Sequence, residues 1–165
     1  MGSFMVNASY SEIIALFLDV DHFNEWQYKT RRAQVLKHIS ENELIYYAVV
    51  EAPWPFMNRD IILQMKITQD PLTRWISISS NALPEYMEKG DNLVRVHTFH
   101  AIWTFKGIGK NKIQAEYANQ IDLGGLLPSW LTDIFVAQGP YETFRSLKQQ
   151  IHSRSKLNQG PIVDK

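Results

Sequence analysis

The sequence predicts an α+β fold: six or seven antiparallel strands between a small pair of N-terminal helices and one long C-terminal helix. Three observations predict it. From Arg31 to Leu123 apolar residues recur mostly at every second position, in runs split by short turn-forming stretches, as in a meander of antiparallel strands. From Leu127 onward Leu127, Leu131, Ile134, Phe135, Tyr141, Phe144, Leu147 and Ile151 fall along one helical stripe. A helix of that length, in a chain otherwise rich in strand signals, has to bury its stripe against the sheet. At the other end Ser9-x-x-Glu12 matches a capping box, where hydroxyl and carboxylate each satisfy an orphan N–H, and Ile13, Ile14, Leu16 and Phe17 follow as an apolar face.

In chain order, Phe4-Met5-Val6 reads as the end of a strand, and the capped helix ends near Asp19. Asp21-His22-Phe23-Asn24-Glu25-Trp26 reads as a second, very short helical turn with Asp21 as its cap and Trp26 buried. His22, beside Asp19 and Asp21, reads as part of that capping. Strands are expected at about 31–39, 43–51, 59–69, 73–80, 92–105 and 112–123. Ser40-Glu41-Asn42, Asp70-Pro71 and the stretch 107–111 form their turns. Gly124-Gly125 breaks the last strand and Pro128 opens the helix, since the first helical N–H needs no partner. Gly139-Pro140 predicts a kink within it. With neither repeat nor linker, one domain is expected over residues 1–152, followed by a flexible polar tail, 153–165.

Composition narrows the function classes. At 165 residues the chain can bury a sizeable core, and 17 basic against 17 acidic residues give no electrostatic footprint for nucleic acid. The absence of cysteine excludes disulfide and thiolate chemistry. No apolar run approaches the roughly 18–20 residues of a membrane-spanning helix, and the first residues lack the features of a signal peptide. Cytoplasmic residence is the default expectation. Gly107-x-Gly109-Lys110 is a hairpin turn rather than a phosphate loop, because no helix follows. His97 and His100, three apart in a strand, point to opposite faces, and neither a metal site nor a cofactor is predicted.

One sheet face carries the chemistry. Leu44, Tyr46, Ala48 and Val50 share it with Ile61, Leu63, Met65 and Ile67. Arg95, His97, Phe99, Ala101 and Trp103 join them, as do Tyr117, Asn119 and Ile121. A mostly apolar wall with a few convergent polar groups suits a small-molecule cavity. A packed core with an internally satisfied polar network is the other reading. Two connections are longer than hairpins require: 52–58, with two prolines and Trp54, and 81–91, with Leu83, Pro84, Tyr86 and Met87. Their apolar residues are either tucked onto the body or left for a greasy partner.

These residues resemble a family. Pro53-Trp54-Pro55-Phe56-Met57-Asn58-Arg59-Asp60 is similar to the Pro-Trp-Pro…Arg-Asp signature of START domains, the lipid- and sterol-binding helix-grip modules. The stretch 19–26, Leu83-Pro84-Glu85 with Arg95, and Asp122 to Trp130 fit further blocks in the right order, over about residues 4–151. The resemblance implies a curved antiparallel sheet gripping the C-terminal helix around an apolar tunnel, gated by 81–91 and the helix near Leu131–Phe135. It implies carriage or sensing of a lipid-like hydrophobic molecule rather than catalysis, and leaves room for transient contact with a membrane. The expected ligand contacts are Tyr46, Leu63, Met65, Arg95, His97, Phe99, Tyr117, Asn119, Leu131 and Phe135. Arg95 either touches ligand or pairs with an acid such as Asp122. Arg59-Asp60 reads as an ion pair or loop anchor, and Trp54 as packing.

Where sterol-carrying members place a buried acid and arginine, this chain has Tyr46 and Met65, which makes the tunnel more apolar there and argues against a sterol-type specificity. The family usually begins with further elements before the stretch matching Phe4. Without them an exposed strand edge would offer a homodimer contact. The alternative function is an enzyme of the cyclase or hydrolase kind acting on an aromatic substrate, for which His97 is the only inward histidine. A third is an interaction module with a filled core.

Overall fold

Eight strands and two α-helices form the frame of the described residues. The computed structural model describes residues 2–158. Its strands are β1 (Gly2–Val6), β2 (Thr30–Ser40), β3 (Glu43–Val50), β4 (Arg59–Gln69), β5 (Ile76–Ala82), β6 (Val94–Arg95), β7 (Thr98–Gly109) and β8 (Lys112–Asp122). Its α-helices are α1 (Tyr10–Leu18) and α2 (Ser129–Asn158). The strands form one curved sheet in the order β1-β8-β7-β5-β4-β3-β2, antiparallel throughout, with the short β6 laid parallel against the start of β4. The concave face grips α2.

The N-terminal capping box forms as read: the Glu12 N–H donates to Ser9 Oγ at 3.2 Å and the Ser9 N–H to Glu12 Oε1 at 3.3 Å. The turn after α1 is a 3-10 helix, Val20–Glu25, and Asp19 rather than Asp21 stands at its N-terminus. Asp19 does not cap it. Its carboxylate is held by His22 Nδ1 at 2.8 Å and Arg154 Nη2 at 2.8 Å, tying this turn to the far end of α2.

Two strand boundaries depart from the alternation. Asp70 Oδ1 accepts the N–H groups of Leu72 and Thr73, and Arg74 takes a left-handed φ of 67°, so the turn runs on and β5 starts only at Ile76. The run read as one strand from 92 to 105 is two. Val94–Arg95 pairs with Arg59–Asp60, and the chain then crosses to β7 with a one-residue change of phase. Val96 is therefore buried and His97 exposed, the reverse of what counting back by twos from Phe99 gives.

Packing divides α2 into unequal halves. Its later part buries Phe144, Leu147 and Ile151 in the main core, where Phe4 of β1 stacks on Phe144 at 4.5 Å. Of its first part only Leu131 is fully buried among the stripe residues, while Trp130, Val136 and also Tyr141 are exposed. The helix continues across Pro140 to Asn158, so residues 153–158 of the expected tail are helical; 159–165 lie outside the described residues.

Candidate functional site

Between the concave face and the middle of α2 lies a cavity of about 130 Å³. Seven of the ten expected contacts are on its walls: Tyr46, Leu63, Met65, Phe99, Tyr117, Asn119 and Phe135. The register explains why. Met65 faces Ser80, Ser80 faces Ala101 and Ala101 faces Asn119, so one row crosses β4, β5, β7 and β8, and Tyr46 faces Leu63 in the row beside it. Trp103 lies against Tyr117 at 4.5 Å between ring centroids and helps close one end.

Three expected contacts are not on these walls. Leu131 is buried, but Phe135, one turn further along α2, takes the lining position. His97 is exposed because of the phase change, and Val96 lines the cavity in its place. Arg95 leaves by the other face of the sheet, where its Nε and Nη2 meet Asp60 Oδ1 and Oδ2 at 2.7 and 3.0 Å. Asp60, not Asp122, is its acid. Arg95 Nη1 also donates to the carbonyls of Pro84 and Met87 at 2.8 and 2.6 Å, and the Gly90 N–H donates to Asp60 Oδ2 at 3.0 Å. The loop read as a gate is thus pinned by a buried ion pair. Burial alone would raise the Asp60 carboxyl, but the bonds from Arg95, Gly90 and Tyr47, with Arg95's charge, hold it below its ordinary range.

The cavity's own polar groups are mostly neutral. Burial pushes the Tyr46 phenol well above its usual value, the neighbouring Tyr117 adds to this, and a hydrogen bond with Ser80 opposes it. Tyr117 is raised for the same reason, and its hydroxyl accepts from Asn119 Nδ2 at 3.2 Å. Both phenols therefore stay protonated at neutral pH and act as hydrogen-bond partners rather than bases. Thr143 of α2 accepts the Tyr28 N–H at 2.9 Å, and the Tyr28 ring packs edge-on to Phe135 at 5.6 Å, so the 3-10 turn's exit braces α2 over the cavity.

Sequence reasoning missed Ser80, Arg59, Tyr28 and Thr143 as wall residues. Ser80 and Arg59 were within reach, since Ser80 alternates with Ile76 and Ile78, and Arg59 with Ile61. Tyr28 and Thr143 carry no such signal, because their placement depends on how α2 docks. Arg59 donates through Nε to the Leu123 carbonyl at 3.2 Å, through Nη2 to that of Gly124 at 2.7 Å, and through Nη1 to that of Met57. It joins the loops before β4 and after β8. Gly124 and Gly125 turn there with φ of 72° and 71°, and a Cβ on Gly125 would stand 2.9 Å from Arg59 Nη2, so both the conformation and the contact call for glycine. On these loops Trp54 and Leu126 project outward, 92% and 98% exposed, so Trp54 does not pack as expected.

A family model described as START domain matches residues 5–156. The chain belongs to the START family. An uncharacterized protein of Pseudomonas aeruginosa is 26% identical over 152 residues, which span 90% of this chain and 73% of that protein. Among solved structures, a fragment of the STAR-related lipid transfer protein from Xanthomonas axonopodis superimposes with a TM-score of 0.82 at 23% identity, covering 91% of this chain and 83% of that one. The Zhui aromatase/cyclase of a Streptomyces species shares the fold at a TM-score of 0.59 and 11% identity, with 93% of both chains covered. The fold is thus shared with a lipid transfer protein and with an aromatase/cyclase, and no helix among the described residues is long and apolar enough to cross a membrane.

Proposed function

We propose that this START domain binds and carries a lipid-like hydrophobic molecule in its cavity without altering it. One observation carries the reading: among the described residues, no carboxylate and no imidazole is on the cavity walls. A general base or a nucleophile of that kind would have to stand within hydrogen-bond reach of the substrate, and both phenols, held protonated, cannot serve as that base. Burial of an acyl chain supplies about 0.8 kcal/mol per methylene. Tyr46, Tyr117, Asn119 and Ser80 supply the polar contacts that orient a hydroxyl or carbonyl.

The size of the cavity adds a condition. A void of about 130 Å³ is close to the roughly 150 Å³ that accepts a benzene ring, so a long acyl chain needs more room. The loosely buried first half of α2 is the part that can give way. Native mass spectrometry followed by organic extraction tests the proposal. A co-purifying molecule of defined mass is the expected result. A bare polypeptide, with no thermal shift from a lipid panel, would overturn it, and the same spectrum shows whether copies pair through a sheet edge. The enzymatic alternative draws on the ring-sized cavity and the fold shared with an aromatase/cyclase. It predicts turnover of an aromatic substrate that Tyr46→Phe abolishes.

Trp54 and Leu126, exposed at the loops that meet over Arg59, suit brief contact with a membrane when ligand is exchanged. The double variant Trp54→Ser/Leu126→Ser is expected to slow transfer of a fluorescent fatty acid between vesicles about tenfold. Its equilibrium affinity should not change, because neither side chain is on the walls. An unchanged transfer rate would show that exchange proceeds through water.

A further inference from the structure

We propose that the cavity is selective for amphiphiles with an anionic head, a carboxylate or phosphate, and that Arg59 receives that head. This rests on the reading above that the cavity holds a hydrophobic ligand, and it adds the charge of the ligand.

Two arginines are buried in this fold, and they are treated differently. Arg95 is neutralised by both oxygens of Asp60. Arg59 is 4% exposed, is on the cavity wall, and takes part in none of the ion pairs among the described residues. Its partners are three backbone carbonyls, which satisfy part of its hydrogen-bonding capacity and none of its net charge. A buried cation without a counter-charge is costly, and folds ordinarily supply one. The acid next to it in sequence is no help. Alternation along β4 sends Arg59 to the concave face and Asp60 to the convex one, where Arg95 takes it. Burial is the one influence on the Arg59 guanidinium, and it disfavours the charged form.

The geometry gives the ligand a direction. Along β4, Arg59, Ile61, Leu63 and Met65 line the cavity in sequence, a rise of roughly 20 Å. The cation stands at the end where the 52–58 and 123–128 loops meet, the middle is aliphatic, and neutral hydroxyl and amide groups lie deeper. An anionic head at Arg59 would complete the missing ion pair with the N–H groups that the carbonyls leave free, in a charge-assisted contact stronger than a neutral hydrogen bond. Its tail would lie along Ile61 and Leu63.

The test is a head-group series on one eight-carbon tail: octanoate, octyl phosphate, octan-1-ol and octylamine, titrated calorimetrically against the delipidated protein at pH 8. At least one of the two anions is expected to bind ten or more times tighter than the alcohol, with the amine weakest. Arg59→Gln should remove that preference, bringing the anions to or below the alcohol's affinity, and Arg59→Lys should restore part of it. Octanol binding as well as or better than both anions would overturn the assignment to Arg59 and leave hydrophobic binding standing. Binding of none of the four would count instead against the cavity as a ligand site. If Arg59→Gln fails to fold, the series on the unaltered protein still decides the matter.

Discussion

Arg95→Ala is expected to destabilise the fold by about 3–5 kcal/mol, read as a lower urea midpoint and a melting temperature about 10 °C or more below the parent. The substitution leaves Asp60, which is 0% exposed, with no counter-charge, and it frees the carbonyls of Pro84 and Met87 that Arg95 holds. The pH dependence separates this from simple loss of packing. In the parent the Asp60 carboxyl is depressed, so its stabilisation is complete above the unfolded value near about 4 and is lost as pH falls through the folded value. In the variant the same carboxyl keeps its bonds from the Gly90 N–H and the Tyr47 hydroxyl but loses the guanidinium, so its pKa rises from the parent's folded value, and the deficit should shrink on acidification. A midpoint within about 1 kcal/mol of the parent, or a deficit constant with pH, would mean that the 83–93 loop is held by its apolar contacts with Ile45, Tyr47 and Ile62 rather than by the ion pair.

How far the sequence reveals this site depends on what each residue's position depends on. Side chains whose direction follows from strand alternation were legible: Tyr46, Leu63, Met65, Tyr117 and Asn119 reach the cavity because β3, β4 and β8 run unbroken through it. Arg95 and His97 were misplaced for one reason. The β6 segment pairs with β4 instead of leading straight into β7, and a single-residue slip exchanges the two faces. That pairing brings Arg95 to Asp60, 35 residues away in the chain, a long-range contact that periodicity does not record. The long helix was legible as an element. Its two halves were not, because Leu131, Ile134 and Phe135 are as apolar as Phe144, Leu147 and Ile151. Only docking shows that the second group meets the main core while the first puts just Phe135 on the cavity wall. Arg59-Asp60 reads from the sequence as an ion pair or a loop anchor, and because adjacent residues on a strand point apart each takes one role: Asp60 pairs with Arg95 and Arg59 anchors the loops, without an acid of its own.

Ala101→Phe is expected to abolish ligand binding, with affinity falling at least a hundredfold, while the fold stays as stable as the parent or becomes more so. Ala101 is in the middle of the cavity row, between Ser80 and Asn119, with its methyl group on the wall. A phenyl ring there is about the size of the benzene that a roughly 150 Å³ cavity accepts, and the void is about 130 Å³, so the side chain takes the place of the ligand. Filling a void reverses the cavity term of large-to-small substitutions, about 24 cal/mol per Å³, which amounts to roughly 2 kcal/mol if most of it is filled without strain. Overpacking opposes that gain by about 1–3 kcal/mol, so little net change in melting temperature is the central expectation. The pairing of the two readouts gives the variant its force. Lost binding with lost stability would show only a damaged core, and retained binding would place the ligand outside this cavity. Lost binding with stability intact ties function to the empty space between Tyr46, Tyr117 and α2, since nothing else in the protein would have changed.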